Sequence, residues 1–190
     1  STSMGVVALK SENLSLTDVN VTTNNQKGRV FSAIADAFHF TACKGLIKLD
    51  NCTHAGQADD FVNIHNAYVP IKAKVDDYHI LTANRTRTHE IKELLRDDEI
   101  WFVDSATMQR SASFKIEEIT PKFENGKVVA YTFKFDKKLP DYINSSYYLE
   151  SKAWSPEVLI TNCKILKKHR ARGILITTPN KVVIENNYFN

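Results

Sequence analysis

A degenerate internal repeat constrains the fold of this chain more than any other feature of its sequence. Each copy alternates apolar and polar residues and then reaches an Asn or Asp. The four copies are residues 14–19, 47–52, 158–163 and 182–187. The last two copies lie 24 residues apart, and self-similarity at periods of this size is typical of solenoid proteins.

A second kind of β-rich run belongs to the same repeat. These runs are residues 5–8, 36–40, 60–65 and 173–176. Two short strands in a unit of about two dozen residues, with Asn or Asp at the corner, favour a right-handed parallel β-helix. Asn and Asp tolerate the left-handed backbone conformation that such corners require. We therefore expect stacked apolar side chains in the core and a ladder of Asn side chains at the corners.

The three cysteines fit the same repeat. Cys52 and Cys163 follow Asn51 and Asn162 at matching places, and Cys43 lies between two predicted strands. Their odd number argues against a full disulfide framework, and their spacing is not that of a metal site. The sequence predicts that they are small buried residues of the core.

The repeat is interrupted in the middle of the chain, where the sequence becomes charged, aromatic and alternating. The β-helix pattern resumes after this interruption, which argues against a separate C-terminal domain. We predict an all-β protein in which residues 1–66 and 154–190 form parallel β-helix coils. Residues 67–153 are predicted to form a small antiparallel β-barrel inserted between them.

Several local signals define the predicted barrel. Residues 98–104 and 113–119 alternate as strands do, and Asn125 with Gly126 between two apolar runs is a strong hairpin signal. Only residues 88–96 have a helical pattern, and that pattern is short.

Composition and charge exclude several classes of function. The net charge is +3, and the only local basic cluster lies at residues 167–172, so no nucleic acid partner is predicted. No apolar run approaches the length needed to span a membrane. His54, His79, His89 and His169 lack the spacing of metal ligands, so we predict neither a catalytic metal nor a cofactor.

Carboxylates cluster where strands of the second kind begin. Alignment of these strands places Asp36, Asp60 and Arg172 in one column, with Asp59 at the adjoining bend. Glycoside cleavage needs such residues, because one carboxyl group must donate a proton while another activates water or attacks the sugar. Crowding of like charges raises the pKa of one carboxyl group, so that one group acts as the acid and another as the base.

A structural alternative remains open at this point. Asp is common at β-helix corners, and paired Asp also occurs at residues 76–77 and 97–98, where no role is assigned. The competing hypothesis is a non-catalytic carbohydrate-binding or surface β-helix in which the Asp ladder is structural.

Polar residues flank the predicted carboxylate column. If Val62 and Ile64 face the core, Asn63 and His65 face outward beside the carboxylates, as does His39 on the preceding strand. Such groups suit hydrogen bonds to sugar hydroxyls.

Three further residues are candidates for substrate binding. The guanidinium groups of Arg172 and Arg170 could orient a carboxylate or bind sugar. Trp154 is either a stacking platform for a sugar ring or a packing residue at the domain junction.

Three runs of this sequence together resemble the α-1,3-galactosidases of glycoside hydrolase family 110. The runs are residues 35–40, 52–65 and 170–179, and the resemblance is clearest over 5–66 and 154–190. Proteins of that family are β-helix enzymes with a small inserted barrel, and they release terminal α-1,3-linked galactose with inversion. They are considerably longer than this chain, which the resemblance identifies as a fragment.

The resemblance implies catalytic carboxylates at Asp59 and Asp60 with Asp36 close by. We assign Asp59 as the general acid, with Asp60 and Asp36 polarising water. Inversion predicts acid and base carboxyl groups about 6.5–9.5 Å apart. The implied partner is a glycan with terminal α-galactose, which implies a secreted or periplasmic location. Open coil edges make a homodimer plausible.

A weaker likeness points to the polygalacturonases, which are pectin hydrolases with one Asp in one coil and an Asp pair in the next. Residues 57–60 resemble that pair. Counterparts of their Gly-His-Gly and Arg-Ile-Lys motifs are missing, and acidic sugars would require a more basic groove. This interpretation ranks below the galactosidase.

Overall fold

The computed structural model describes residues 3–83, 94–166 and 171–190. The protein is all-β and divides into two compact units, one of residues 1–66 with 154–190 and one of residues 67–153. Residues 88–93, which make up most of the predicted helix, lie outside the described residues. Among the helices that the structure describes, none has the length and apolar character needed to cross a membrane.

The first unit contains three parallel sheets, whose strands are numbered along the chain. Neighbours in the first sheet are, in order, β1 (Val6–Leu9), β4 (Phe38–Thr41), β7 (Val62–His65) and β16 (Ile174–Ile176). The second sheet consists of β17 (Val182–Glu185), β14 (Glu157–Thr161), β5 (Lys44–Asp50) and β2 (Glu12–Thr17). The third consists of β18 (Tyr188–Phe189), β15 (Lys164–Ile165), β6 (Thr53–His54) and β3 (Asn20–Val21).

The register of the sheets confirms the repeat read from the sequence. In the second sheet Ile47 pairs with Leu14 on one side and Val158 on the other, and Val158 pairs in turn with Val182. The chain visits the three sheets in rotation, which is why equivalent repeat positions become neighbours. The two strands predicted for each repeat are accompanied by a third strand of only two residues.

The predicted corners are confirmed by the backbone. Asp18, Asn51, Asn162 and Asn186 follow strands of the second sheet and have φ of 58°, 53°, 55° and 56°. The expected ladder of Asn side chains takes a different form, because the corner amides donate to carboxylates of the neighbouring strand. Asn51 donates to Asp18, and Asn162 donates to Asp50 at 2.9 Å.

The core of the first unit lies between the sheets. Phe38, Phe40, Val62 and Ile64 point inward from the first sheet and are at most 1% exposed. Each such burial stabilises the fold by about 1.5–3 kcal/mol. The three cysteines are buried in the same core, as predicted.

The second unit contains a closed six-stranded barrel in which all neighbouring strands are antiparallel. Around the barrel the order is β10 (Glu99–Asp104), β11 (Phe114–Glu124), β12 (Lys127–Phe135), β9 (His79–Ala83), β8 (Tyr68–Lys74) and β13 (Tyr147–Ser151). Asn125 and Gly126 join β11 to β12 with φ of 51° and 73°, which confirms the predicted hairpin. Phe102, Phe114 and Phe135 pack edge to face inside the barrel.

Candidate active site

Asp36 and Asp60 occupy equivalent positions just before two neighbouring strands, β4 and β7. The backbone N–H of Ala37 donates to the carbonyl of Asp60, and the N–H of Asp60 donates to Oδ1 of Asp36 at 3.2 Å. The predicted adjacency of these two residues is therefore confirmed. It follows from the parallel register of β4 and β7, in which Phe38 lies opposite Val62.

Asp59 completes a compact carboxylate cluster. Its Oδ1 accepts from the N–H of Asp60 at 3.1 Å. One carboxylate oxygen from each of Asp36, Asp59 and Asp60 lies within 4.8 Å of the others. Asp36 and Asp60 are 4% and 0% exposed, whereas Asp59 is half-buried. Asp59 is thus the member of the cluster most accessible to a ligand.

Arg172 provides the positive charge at the cluster. Its Nη2 lies 3.2 Å from Oδ2 of Asp60, and its Nε lies 3.4 Å from Oδ1. The side chain of Arg172 is 64% exposed while that of Asp60 is 1% exposed. The predicted column of Asp36, Asp60 and Arg172 is present, and much of the guanidinium remains open to solvent.

Two side chains of the outward face hold Asp36. Its Oδ2 lies 2.6 Å from Nδ1 of His39 and accepts from Nδ2 of Asn63 at 3.3 Å. His39 and Asn63 are opposite each other across β4 and β7. The expectation that these residues face outward beside the carboxylates is confirmed.

His65 lies one step further along the same face. Its Nε2 is 3.4 Å from Nε2 of His39, and the two rings meet edge to face at 5.1 Å. Because the carbonyl of Asn66 can only accept, Nδ1 of His65 carries a proton and donates to that oxygen at 2.7 Å.

Sequence reasoning missed Thr41, whose hydroxyl lies 3.0 Å from Nε2 of His39 and 3.3 Å from Nε2 of His65. Its position two residues after His39 on an alternating strand was the available signal.

Phe61 fixes the backbone beneath the carboxylates. Its ring is fully buried, packs edge to face on Phe38 at 5.4 Å and stacks on His54 at 5.0 Å. His54 is also fully buried, although its sequence context indicated no role. Burial of Phe61 between Asp60 and Val62 explains why the Asp59–Asp60 bend is held in place.

The last two candidates are Trp154 and Arg170. Trp154 lies against the ammonium groups of Lys10 and Lys44, whose Nζ atoms are 5.7 and 5.0 Å from the ring centroid. Lys10 follows the carboxyl-terminal end of β1 and Lys44 is the first residue of β5, whereas the carboxylates precede the amino-terminal ends of β4 and β7. Trp154 is therefore a cation–π partner and not part of the carboxylate cluster. Arg170 lies outside the described residues.

The cluster combines proton-transfer groups with groups that bind hydroxyls. Three oxygens within 4.8 Å also have the donor chemistry of a cation site, yet the Arg172 guanidinium already supplies positive charge to Asp60. Acid–base chemistry on a polar, uncharged ligand fits this set of side chains.

The sequence matches known enzymes over almost its entire length. It is 35% identical over 187 residues to α-1,3-galactosidase B of Bacteroides thetaiotaomicron, covering 98% of this chain and 30% of that enzyme. It is 32% identical over 188 residues to α-1,3-galactosidase A of Bacteroides fragilis, again covering 98% of the chain and 30% of the relative. α-1,3-Galactosidase B of Phocaeicola vulgatus is 32% identical over 196 residues, with 98% and 32% covered.

The chain thus spans about a third of the length of the curated relatives that it matches. No family model matches the chain. The resemblance seen in the sequence is nevertheless confirmed by relatives that cover 98% of the chain and share one name. Over 98% of its length the chain is homologous to proteins named α-1,3-galactosidases.

Proposed function

We propose that the chain is the catalytic segment of an inverting exo-glycosidase that hydrolyses terminal α-1,3-linked galactose from glycans. The observation that carries this proposal is the cluster of Asp36, Asp59 and Asp60 on a chain whose relatives are named α-1,3-galactosidases. A glycan substrate implies a secreted or periplasmic protein.

The proposed scaffold is a right-handed parallel β-helix interrupted by a barrel at residues 67–153. Three parallel sheets visited in rotation, and corners with positive φ, support this architecture. Its function is to bring carboxylates from successive repeats to one place. Asp36 and Asp60 are 24 residues apart in the sequence, yet they lie side by side at the start of neighbouring strands.

The surroundings of the three carboxylates support the proposed roles. Asp60 is buried against Arg172, and Asp36 is buried against His39 and Asn63, so the negative charge of each has a partner. These two side chains are placed to hold and polarise a water molecule. Asp59 is the accessible member and is placed to protonate the glycosidic oxygen.

The spacing of the carboxylates bears on the stereochemistry. Carboxyl groups of inverting enzymes are typically about 6.5–9.5 Å apart and those of retaining enzymes about 5–5.5 Å. Here the nearest oxygens lie within 4.8 Å, which is a shorter measure than one between whole carboxyl groups. Inversion is therefore proposed from the family resemblance, and the product anomer decides it.

The outward face beside the cluster supplies hydrogen-bonding groups for the sugar. Asn63, His39 and His65 lie together on this face, and each is half-buried. Their amide and imidazole groups can donate to and accept from galactose hydroxyls. Arg172 extends the same row with an exposed guanidinium.

The decisive experiment follows an α-1,3-galactosyl disaccharide by NMR. It uses the chain itself and a chimera in which the chain replaces the matching segment of the Bacteroides thetaiotaomicron enzyme. We expect β-galactose as the first product. Loss of the general acid in Asp59→Asn should lower turnover by about 10²–10⁴-fold while sugar binding persists.

The same variant tests the structural alternative. In a purely structural Asp ladder, Asp59→Asn would lower the melting temperature and leave any turnover unchanged. Release of α-galactose would contradict inversion alone, and a chimera that remains active with Asp59→Asn would contradict the assigned acid.

A further inference from the structure

The barrel carries a concave surface where β10 ends and β13 begins. We call it the tyrosine groove, and its lining includes Asp104, Thr107, Gln109, Arg110, Tyr142 and Tyr147. All of these residues belong to the barrel unit, and none was assigned a role from the sequence. Asp104 and Tyr147 are paired across the two strands, which brings the polar and aromatic parts of the groove together.

Two tyrosine rings form one wall of the groove. The rings of Tyr142 and Tyr147 lie 5.7 Å apart with an angle of 42° between their planes. Tyr142 is 53% exposed, and Tyr147 is half-buried behind it. An exposed ring supported by a second ring offers a firm apolar face to a ligand.

The side chain of Asp104, which is hydrogen-bonded to Tyr147, offers polar atoms in fixed positions beside the rings. Oδ1 of Asp104 accepts from the N–H groups of Ala106 and Thr107, each at 2.8 Å. The Thr107 hydrogen bond and then that of Ala106 lower the pKa of Asp104, which keeps this side chain an acceptor. Burial and then the charge of Asp104 raise the pKa of Tyr147, which keeps the phenol a donor.

The loop that carries Tyr142 is braced by its own side chains. Asn144 donates to the carbonyl of Tyr142 at 3.1 Å. Its Oδ1 accepts from the N–H and the hydroxyl of Ser146 at 2.8 and 2.7 Å. A groove whose walls are already fixed loses little conformational entropy when a ligand binds.

The charges of the groove select a neutral ligand. Arg110 is the cation of the lining, and it is engaged by the buried carboxylate of Glu150 through two hydrogen bonds of 2.6 and 3.1 Å. The carboxylate of Asp104 contributes hydrogen-bond acceptors and a negative charge to the surface of the groove. An acidic sugar would find no available cation among these lining residues.

We propose that the tyrosine groove is a second carbohydrate site, which binds a galactose unit of a glycan without cleaving it. Galactose has an axial hydroxyl at C4, so the hydrogens of C3, C4 and C5 lie on one apolar face that can stack on Tyr142. Its hydroxyls then reach Asp104 and Gln109. The choice of galactose over other neutral sugars rests on the proposed function.

The test is an NMR titration of the chain with its tyrosines labelled with carbon-13. There are seven tyrosines, so single Tyr→Phe substitutions can assign every signal. The ligands are methyl β-galactoside, which lacks the α-linkage of the proposed substrate, and methyl β-glucoside. We expect galactoside to shift the signals of Tyr142 and Tyr147 and to leave that of Tyr78 unchanged.

Three variants make the test specific. Tyr142→Ala should raise the apparent Kd, followed on the Tyr147 signal, by about tenfold because the stacking ring is lost. Tyr142→Phe keeps the ring and should bind nearly as well. Tyr78→Ala removes another exposed tyrosine of the barrel, 45% exposed, and should have no effect.

Two results would overturn the proposal. Unchanged Tyr142 and Tyr147 signals would exclude the site, and equal affinity for glucoside would exclude galactose recognition. The hydrolysis assay separates this proposal from the proposed function. Tyr142 shifts in a chain and chimera without turnover would support the groove alone, whereas turnover without these shifts would support the enzyme alone.

Discussion

Each unit of the molecule buries one carboxylate against one arginine, and the two pairs differ in almost every other respect. In the barrel, Glu150 is fully buried, and Arg110 contacts it at 2.6 and 3.1 Å with only 21% of its side chain exposed. In the sheet unit, Asp60 is equally buried, but Arg172 contacts it at 3.2 and 3.4 Å and is 64% exposed.

The surroundings explain the difference between the pairs. Arg110 also lies over the ring of Trp101 at 5.6 Å, so the barrel pair is enclosed and complete. Asp60 instead has Asp36 and Asp59 beside it, so the carboxylate that the exposed guanidinium contacts belongs to a cluster of three. Removal of one partner from a closed, matched pair destabilises the fold, whereas an open pair with excess negative charge retains groups that a ligand can use.

The largest effect is expected from Arg110→Met in the barrel. The substitution leaves the buried carboxylate of Glu150 without its cation, which should lower the free energy of unfolding by about 3–5 kcal/mol. Guanidinium unfolding is followed by the fluorescence of Trp101 in a Trp154→Phe background. The two tryptophans lie in different units, so this probe reports on the barrel.

An exposed ion pair of the same barrel supplies the control for Arg110→Met. Nζ of Lys152 lies 2.6 Å from Glu99, and the two side chains are 44% and 53% exposed. Lys152→Met should therefore cost about 1 kcal/mol or less. Replacing both partners, as Arg110→Met with Glu150→Leu, should restore most of the stability. Equal losses for Arg110→Met and Lys152→Met would refute the contrast between the two pairs.

A smaller effect, and a different one, is expected from Arg172→Met. Asp60 is left buried without its cation, but most of the Arg172 side chain is in water and its contacts are longer than those of Arg110, so the free energy of unfolding should fall by about 1–3 kcal/mol. Hydrolysis should fall by about 10–100-fold, because Asp60 and the bound sugar lose a positioning contact. Arg172→Lys keeps the charge without the fork and should recover part of the rate.

The readouts of Arg172→Met are turnover and unfolding followed by Trp154 in a Trp101→Phe background. Turnover is measured on whichever form, chain or chimera, hydrolyses the disaccharide. A loss of stability as large as that of Arg110→Met, with the rate unchanged, would make the Asp60 pair structural.

The sequence predicted the open pair and not the closed one, and the reason is geometric. Asp36, Asp60 and Arg172 occupy one position of a repeat, so counting residues places them side by side. Arg110 and Glu150 are 40 residues apart in antiparallel strands and turns of unequal length, where no period relates them.

The same reasoning explains the other successes and failures. Strands with alternating burial, such as β4 and β7, were predictable because their apolar positions recur every second residue. The third sheet was not, because strands of two residues carry no alternation. Trp154 was interpreted from its place in the chain alone, and the lysines that contact it come from other repeats.

The smallest effect is expected at a half-buried carboxylate, at the corner where Asn162 donates to Asp50. The Asn162 hydrogen bond and then that of Lys48 lower the pKa of Asp50 in the folded protein. The resulting stabilisation is present above the pKa of Asp50 in the unfolded chain and is lost as pH falls through the folded value. Asn162→Gly keeps the positive φ and should destabilise the sheet unit more at pH 7 than at pH 3 in urea unfolding. Asn186→Gly, at the next corner with φ of 56° and with no carboxylate partner among the described residues, should show no such pH dependence. A loss in Asn162→Gly that is independent of pH would assign the effect to the corner backbone instead of the carboxylate of Asp50.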